Sequence, residues 1–291
     1  MNFIEVLPED IIRVLIETVY FTSKISLVVF AHVNKYCYRI SRICAFEHKV
    51  ERSIKCHEIA AEGSLKVLKW ARSNNYFWNA ATCEHAAIHG HAEVLKWAHS
   101  NGCSLSQCTA ELAALHGHLQ ILRWAYSNGC QLSPKICALA AHNGHLEVLK
   151  WAKIMNCPWD ASTCADAAFN GHLELLIWAK SNGCPWNAGT CHNASFNGHL
   201  ELLKWARSSS MVPGGEICPW DSYICKNAAF NGHFELLVWA RLNGCPWDSD
   251  VCQNALNNGH LEILKWAISE GCPLTNKITY LSKQKWPNEF T

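Results

Sequence analysis

Apolar residues recur along this chain in short segments with helical spacing, and each segment ends at a glycine. In residues 172–180 the apolar positions, among them Leu173, Leu176 and Ala179, form the wide stripe of an amphipathic helix. Asn182-Gly183 follows, and a glycine after the last apolar position is typical of a helix C-terminus. The pattern therefore predicts a helix that ends just before this glycine.

A shorter helix is predicted ahead of it, over residues 163–169. Asp160 or Ser162 is placed to cap its N-terminus, and Asn170-Gly171 ends it. Neither helix is long enough to be stable alone, so the core has to come from stacking against neighbouring units.

The same two-helix pattern occurs eight times. The turn glycines are 27 residues apart, except for one spacing of 34, and a tryptophan follows each glycine seven residues later. This register predicts an all-α solenoid of eight helix-turn-helix units of about 27 residues. The turn glycines are Gly63, Gly90, Gly117, Gly144, Gly171, Gly198, Gly232 and Gly259.

The unit resembles the ankyrin repeat. Gly171-His172-Leu173-Glu174 is similar to the family's G-H-L-E, and 183–188 is similar to its G-A-D-V-N-A. The period is six residues shorter than the usual 33, and the loss falls where the ankyrin β-hairpin projects. Cys164 and its equivalents stand at a core leucine position of the family. The resemblance implies an ankyrin-like solenoid over residues 54–275.

The N-terminal segment resembles a different family. Residues 7–15 (LPEDIIRVL) and 33–38 (VNKYCY) are similar to the two ends of an F-box. This resemblance implies a three-helix domain that binds a Skp-type adaptor of a cullin ligase. An N-terminal cap for the solenoid is the alternative. The implied adaptor-binding residues are Leu7, Pro8, Ile11, Ile12, Leu15 and Val33.

We accordingly expect an F-box-like domain over 1–46, a linker over 47–53, the repeats over 54–275 and a C-terminal cap over 276–291. This domain order resembles the substrate receptors of cullin-RING ubiquitin ligases. Short, tryptophan-rich repeats resemble those of giant DNA viruses of amoebae, which implies action in the host cytoplasm or nucleus. Poxviral relatives place the F-box-like element at the C-terminus, so this order departs from theirs.

Composition narrows the class of partner. The net charge is +1 and only 17% of residues are charged, so no basic field favours nucleic acid. The apolar stretches are too short for a membrane span, and the N-terminus is unlike a signal peptide. We expect an intracellular monomer whose 17 cysteines are free thiols.

The recurring cysteines and histidines suggest a metal site, which we weigh against a structural role. Cys184 and Cys191 are seven residues apart, whereas structural zinc sites favour pairs two to four residues apart. Buried structural thiols and a histidine that bonds the turn are favoured, with no metal or cofactor. P-loop, dinucleotide-binding and hydrolase motifs are missing, so we predict no enzyme.

Residues that bind a target should vary between repeats, whereas scaffold residues should recur. The two residues before each turn glycine vary, and in ankyrin arrays they face the concave groove. They predict an exposed apolar strip, with packing between adjacent first helices as the alternative. The predicted target-binding residues are Ile88, His89, Leu115, His116, His142, Phe169, Phe196 and Phe230.

In one repeat the ten residues Ser208–Ile217 replace a three-residue turn and so add seven residues. This insertion is either a binding loop or, as we favour, a tolerated flexible loop. Taken together, these patterns predict a protein–protein interaction protein, the substrate-recognition subunit of a Skp–cullin–F-box ligase. The alternative is a scaffold or decoy that binds a host or viral protein without a ubiquitin role.

Overall fold

The computed structural model describes residues 55–289. The F-box-like prediction, including Leu7, Pro8, Ile11, Ile12, Leu15 and Val33, lies outside these residues. The part of the chain that the structure describes is built from α-helices and one 3₁₀ turn, with no β-strand. The predicted all-α helical-repeat fold is therefore confirmed there. Between residues 55 and 289, no helix is both long and apolar enough to cross a membrane.

The chain divides into two compact units, Met1–Gln131 and Leu132–Thr291. The described helices of the first unit are α1 (Cys56–Ala61), α2 (Leu65–Ser73), α3 (Ala80–Ile88), α4 (Ala92–Ser100), α5 (Gln107–Leu115) and α6 (Leu119–Ser127). They form three helical hairpins, each with a first and a second helix.

The second unit continues the same alternation. Its helices are α7 (Pro134–His142), α8 (Leu146–Ile154), α9 (Ala161–Phe169), α10 (Leu173–Ser181), α11 (Ala188–Phe196), α12 (Leu200–Ala206), α13 (Tyr223–Asn231), α14 (Phe234–Leu242), α15 (Ser249–Asn258), α16 (Leu261–Ser269) and α17 (Asn276–Lys285), with the 3₁₀ turn at Pro213–Gly215.

Capping residues begin these first helices, and α9 starts at Ala161, two residues before the predicted start at Thr163. Asp160 is the N-cap of α9, and its carboxylate accepts a hydrogen bond of 2.9 Å from the backbone N–H of Ser162. Asn187 and Asp248 cap α11 and α15 in the same way. The loop residue that follows Cys-Pro-Trp therefore starts each of these first helices.

Small side chains let successive first helices pack directly against each other within each unit. Ala167, Ala168 and Cys164 are fully buried in α9, and Leu176 and Ala179 are fully buried in α10. Cysteine at the leucine position thus behaves as a small buried hydrophobe, as the sequence predicts.

The second-helix tryptophans lie less deeply than their place on the apolar stripe predicts. Among those in residues 55–289, only Trp151 and Trp205 are buried, whereas Trp178 is half-buried. Their indole rings lie at the edge of the core, where the polar ring nitrogen can stay near solvent.

The repeated histidine links neighbouring repeats. Nε2 of His199 donates a hydrogen bond of 3.1 Å to the backbone carbonyl of Phe169, which ends the first helix of the preceding repeat. The sequence favoured a histidine that bonds the turn, and the structure shows that the bonded turn is the one in the preceding repeat. The same bond joins His91 to Ala61 and His118 to Ile88 in the first unit.

The turn glycine makes room for this histidine. Gly171 has a φ of +73°, in the left-handed region, and a Cβ atom there would lie 2.6 Å from the imidazole of His199. Glycine is required twice at this position, first by the backbone conformation and then by the ring of the next repeat.

In the second unit an asparagine strengthens some of these links. Nδ2 of Asn197 donates to the Phe169 carbonyl at 2.7 Å, the same oxygen that His199 binds. Asn170 does the same at the carbonyl of His142. Asn231 and Asn258 instead bond carbonyls of their own helices, so only the histidine is shared by the motif copies that bridge repeats.

The last described helix, α17, packs against α15 and takes over the histidine's role there. Lys285 Nζ donates a hydrogen bond of 2.6 Å to the carbonyl of Leu256 and approaches the site above Gly259. Glu289 pairs with Lys265 on the neighbouring helix α16. A lysine thus bonds the Leu256 carbonyl in the way that a turn histidine bonds the equivalent carbonyls of other repeats.

We predict that Gly171→Ala destabilises the protein more than Gly183→Ala. Both glycines have positive φ, which costs alanine about 1–2 kcal/mol. Only the alanine at 171 meets a side chain, His199, and overpacking of this kind adds about 1–3 kcal/mol, whereas no atom lies within 4 Å of the new Cβ at 183. Urea denaturation of both variants measures the difference, and equal losses would contradict the proposed role of the ring.

Candidate protein-binding surface

The predicted strip in the first unit lies at the C-terminal ends of α3 and α5. Ile88 and Leu115 are the last residues of these helices and are half-buried, whereas His89 and His116, which follow them, are exposed. The apolar members of the strip therefore offer less surface here than their sequence predicts, because each packs partly against its neighbours.

In the second unit the strip consists of aromatic pairs. His142 and Phe169 stack with ring centroids 5.8 Å apart and an interplanar angle of 20°, and both are half-buried. Phe196 and Phe230 stack at 6.3 Å and 23° and keep 40% and 44% of their surface exposed. The structure thus combines both readings of the sequence: the rings pack on each other, and the second pair still faces solvent.

The backbone beneath these rings is fixed. The carbonyls of His142, Phe169, Phe196 and Phe230 each accept a hydrogen bond from the histidine of the following repeat. Each residue therefore contributes its carbonyl to the scaffold and its ring to the surface. A rigid aromatic surface loses little conformational entropy when it binds a partner.

The charged groups near the second-unit strip are paired. His142 Nδ1 lies 3.7 Å from Asp166, whose pKa is raised by burial, and His192 Nε2 lies 2.9 Å from Asp221. Lys226 lies 2.8 Å from Asp248 and 2.9 Å from Asp250, and these hydrogen bonds raise its pKa. These polar side chains beside the phenylalanines are therefore engaged with one another.

Sequence reasoning missed Tyr223. It begins α13, is exposed, and lies 5.4 Å from the ring of His192, with Lys226 Nζ 5.2 Å from its own ring centroid. A signal was present, because Tyr223 stands where the other repeats have small or polar residues such as Ser162, Gly189 or Asp250.

Several histidine rings lie close to one another in the described residues of the first unit. The rings of His57 and His85, on successive first helices, have centroids 4.8 Å apart. Burial, and then the neighbouring His57 and His89, lower the pKa of His85 below its ordinary value. Burial, with His118 and His89, lowers the pKa of His116 in the same direction. Protonation of His85 and His116 is thus disfavoured.

The cysteines form pairs between repeats, and these are different from the pairs suggested by sequence spacing. Cys164 of α9 hydrogen-bonds to the loop thiol Cys184, whose own S–H donates to the Asp160 carbonyl at 3.5 Å. This bond and burial raise the pKa of Cys164. Cys137 pairs with Cys157 in the same manner. Both thiols of each pair are buried within the stack.

The cysteines in residues 55–289 are free, and all but Cys108 are buried. In this part of the chain no three His, Cys, Asp or Glu side chains are arranged to hold a metal ion. Their recurrence in the sequence is accounted for by contacts that join one repeat to the next.

No family model matches this chain, and no curated protein matches it in sequence. Among solved structures, it is similar to the crystal structure of the human ASB11 ankyrin repeat domain, with a TM-score of 0.44 and 16% identity. The similarity covers 52% of this chain and 81% of that one. The helical-repeat fold itself is established by the hairpins and inter-repeat bonds described above.

We predict that acid weakens the first unit through His85. Its folded-state pKa lies below the ordinary value of about 6.5, so the stability it confers is complete above that pH and is lost as the pH falls below it. His85→Gln should therefore reduce the loss of unfolding free energy between neutral pH and pH about 5. Urea denaturation across this pH range tests it, and an unchanged pH dependence in the variant would contradict it.

Proposed function

We propose that this chain is a protein-interaction protein whose repeats bind a target protein through the aromatic strip of the second unit. The observation that carries the proposal is the exposed, stacked pair Phe196–Phe230 on a backbone fixed by His233 and His260. Exposed aromatic surface on a rigid support is typical of protein interfaces.

The proposal extends to the N-terminal segment. Residues 1–46 would recruit a Skp-type adaptor through the motif that includes Leu7, Pro8 and Ile11, making the chain a substrate-recognition subunit of a ubiquitin ligase. The motif and its position ahead of a recognition array support this role. Such a receptor would act in the host cytoplasm or nucleus, and the recruited ligase would perform the chemistry.

A purified Skp adaptor should bind the full chain and lose binding when Leu7 and Pro8 are both replaced by alanine. The motif's apolar side chains would supply most of the contact area. The matched control replaces Pro273 and Leu274, an exposed Pro-Leu pair in the second unit, and should bind as the wild type does. Absence of binding, or equal loss in both variants, would favour the scaffold or decoy without a ubiquitin role.

Target capture should depend on the phenylalanine pair. We expect Phe196→Ser with Phe230→Ser to remove the principal partners seen by proximity labelling in cells, because both rings belong to the exposed strip. Ile154→Ser with Leu242→Ser is the control, since these exposed apolar residues end second helices instead. Circular dichroism melting should show both proteins folded. Retention of every partner by the strip variant would refute this site.

A further inference from the structure

The loop tryptophans form a second feature, at the other end of the repeats from the strip. In the second unit Trp159 lies against the edge of Trp178 at 6.1 Å, while Lys153 Nζ lies 4.0 Å from its ring centroid. The same arrangement, a loop tryptophan between a second-helix tryptophan and a cation, recurs three more times in this unit. Its other cation–tryptophan pairs are Lys180 with Trp186 at 4.4 Å, Arg207 with Trp220 at 4.2 Å and Arg241 with Trp247 at 4.5 Å.

The cation and the tryptophan occur together along the chain. In the first unit, Arg72 lies 4.3 Å from the ring centroid of Trp78. Where the loop residue is leucine, the cation position holds His99, Tyr126 or Ile268 instead of lysine or arginine. The corresponding loop residues are Leu105, Leu132 and Leu274. The two side chains are therefore used as a pair, as a cation–π contact requires.

One of the four second-unit sites already holds a carboxylate. Glu216, from the insertion, places Oε2 3.0 Å from Lys180 Nζ, although the Lys180 side chain is only 10% exposed. The insertion is closed by the Cys218 N–H donating to the Ala206 carbonyl, and Val212 is buried within it. The sequence favoured a flexible loop here, but the insertion packs against the repeats and places the Glu216 carboxylate beside the Lys180–Trp186 pair.

The cations of the other three cation–tryptophan pairs in the second unit have no carboxylate partner among the described residues. Among residues 55–289, Lys153, Arg207 and Arg241 form no ion pair with a carboxylate. Nη1 of Arg207 donates a hydrogen bond to the Cys218 carbonyl at 2.7 Å, and Nη1 of Arg241 donates one to the Cys245 carbonyl at 3.4 Å. The other guanidinium N–H groups remain available to a carboxylate, which arginine can bind through two parallel bonds.

The acidic residues beside these tryptophans are engaged elsewhere. Asp160 and Asp248 are N-caps and each accepts a hydrogen bond from a backbone N–H of its helix. Asp248 also pairs with Lys226. Asp221 accepts a hydrogen bond from the Tyr223 N–H and lies 2.9 Å from His192. These carboxylates therefore serve the helix termini, Lys226 and His192.

We propose that Lys153, Arg207 and Arg241, each set against a tryptophan, form a row of carboxylate sites that binds an extended acidic peptide. Glu216 is the built-in example of the contact. Packed helices lie about 8–10 Å apart, and an extended chain rises about 3.3 Å per residue. Acidic residues at every third position of a peptide would therefore reach successive repeats, such as those of Arg207 and Arg241.

A single-stranded nucleic acid is the competing ligand, since its bases stack on aromatic rings and its phosphates bind cations. The geometry favours the peptide. Trp220 has Arg207 over its ring and the indole of Trp239 5.7 Å away in an edge contact, so its aromatic contacts are already taken within the stack. The occupant seen in this chain, Glu216, is a carboxylate.

Fluorescence polarisation with a labelled peptide of repeated Glu-Gly-Ser tests the proposal on the full chain. We expect binding that weakens as salt rises, and no binding of a matched Lys-Gly-Ser peptide. Arg207→Gln with Arg241→Gln should weaken binding roughly tenfold, since two charged contacts are lost. The control is Lys150→Gln with Lys204→Gln, lysines that already pair with Glu147 and Glu201 on their own helices.

Glu216→Gln provides a second readout that leaves the row intact. It frees Lys180 and should tighten peptide binding by roughly two- to fivefold, the effect of one additional ion pair of modest strength. The proposal is overturned if the acidic peptide does not bind at low salt, if row and control variants lose affinity equally, or if an oligothymidylate competes better than the peptide. If the double arginine variant unfolds at a lower temperature than the wild type, the Glu216→Gln result decides the matter by itself, and an unchanged peptide affinity in that variant overturns the proposal.

Discussion

The bond from a turn histidine to the carbonyl of the preceding repeat is the constraint on which this structure depends. Helices of nine residues do not persist alone, so each hairpin needs its neighbour. Burial of alanine and leucine brings repeats together but is not directional. The bond from His199 to Phe169, seated above Gly171, fixes how far one repeat is rotated and shifted against the next.

Local rules predicted the helices, but they could not predict which atoms meet. The capping role of Asp160 and the ends at the turn glycines follow from neighbouring residues, so the sequence was sufficient for them. Partners one repeat away cannot be read in this manner. Periodicity identifies equivalent residues without saying which copy contacts which, and so the partner of His199 and the pairing of Cys164 with Cys184 were missed.

The sequence likewise predicted which positions form the candidate site, but not how exposed each of them is. Variation before the turn glycine identified Phe196 and Phe230, which are exposed, but it treated Ile88 as equivalent, although that side chain is half-buried. Exposure depends on the residues of adjacent helices, which a single repeat does not reveal. The folded insertion shows the same limit, because its position follows from the burial of Val212 and from Glu216 reaching Lys180 on an earlier repeat.

In the second unit, the turn end and the loop end of each repeat combine packing with exposed chemistry in two different ways. At the turn end, one residue supplies a carbonyl to the scaffold and a ring to solvent, so binding surface is added without loosening the stack. At the loop end, the tryptophan ring lies against the charged group of a lysine or arginine, and burying that charge without a partner would cost several kcal/mol. Such a charge retains hydrogen-bonding capacity that packing against the ring cannot satisfy, and among the four second-unit pairs a carboxylate, that of Glu216, satisfies it only at Lys180.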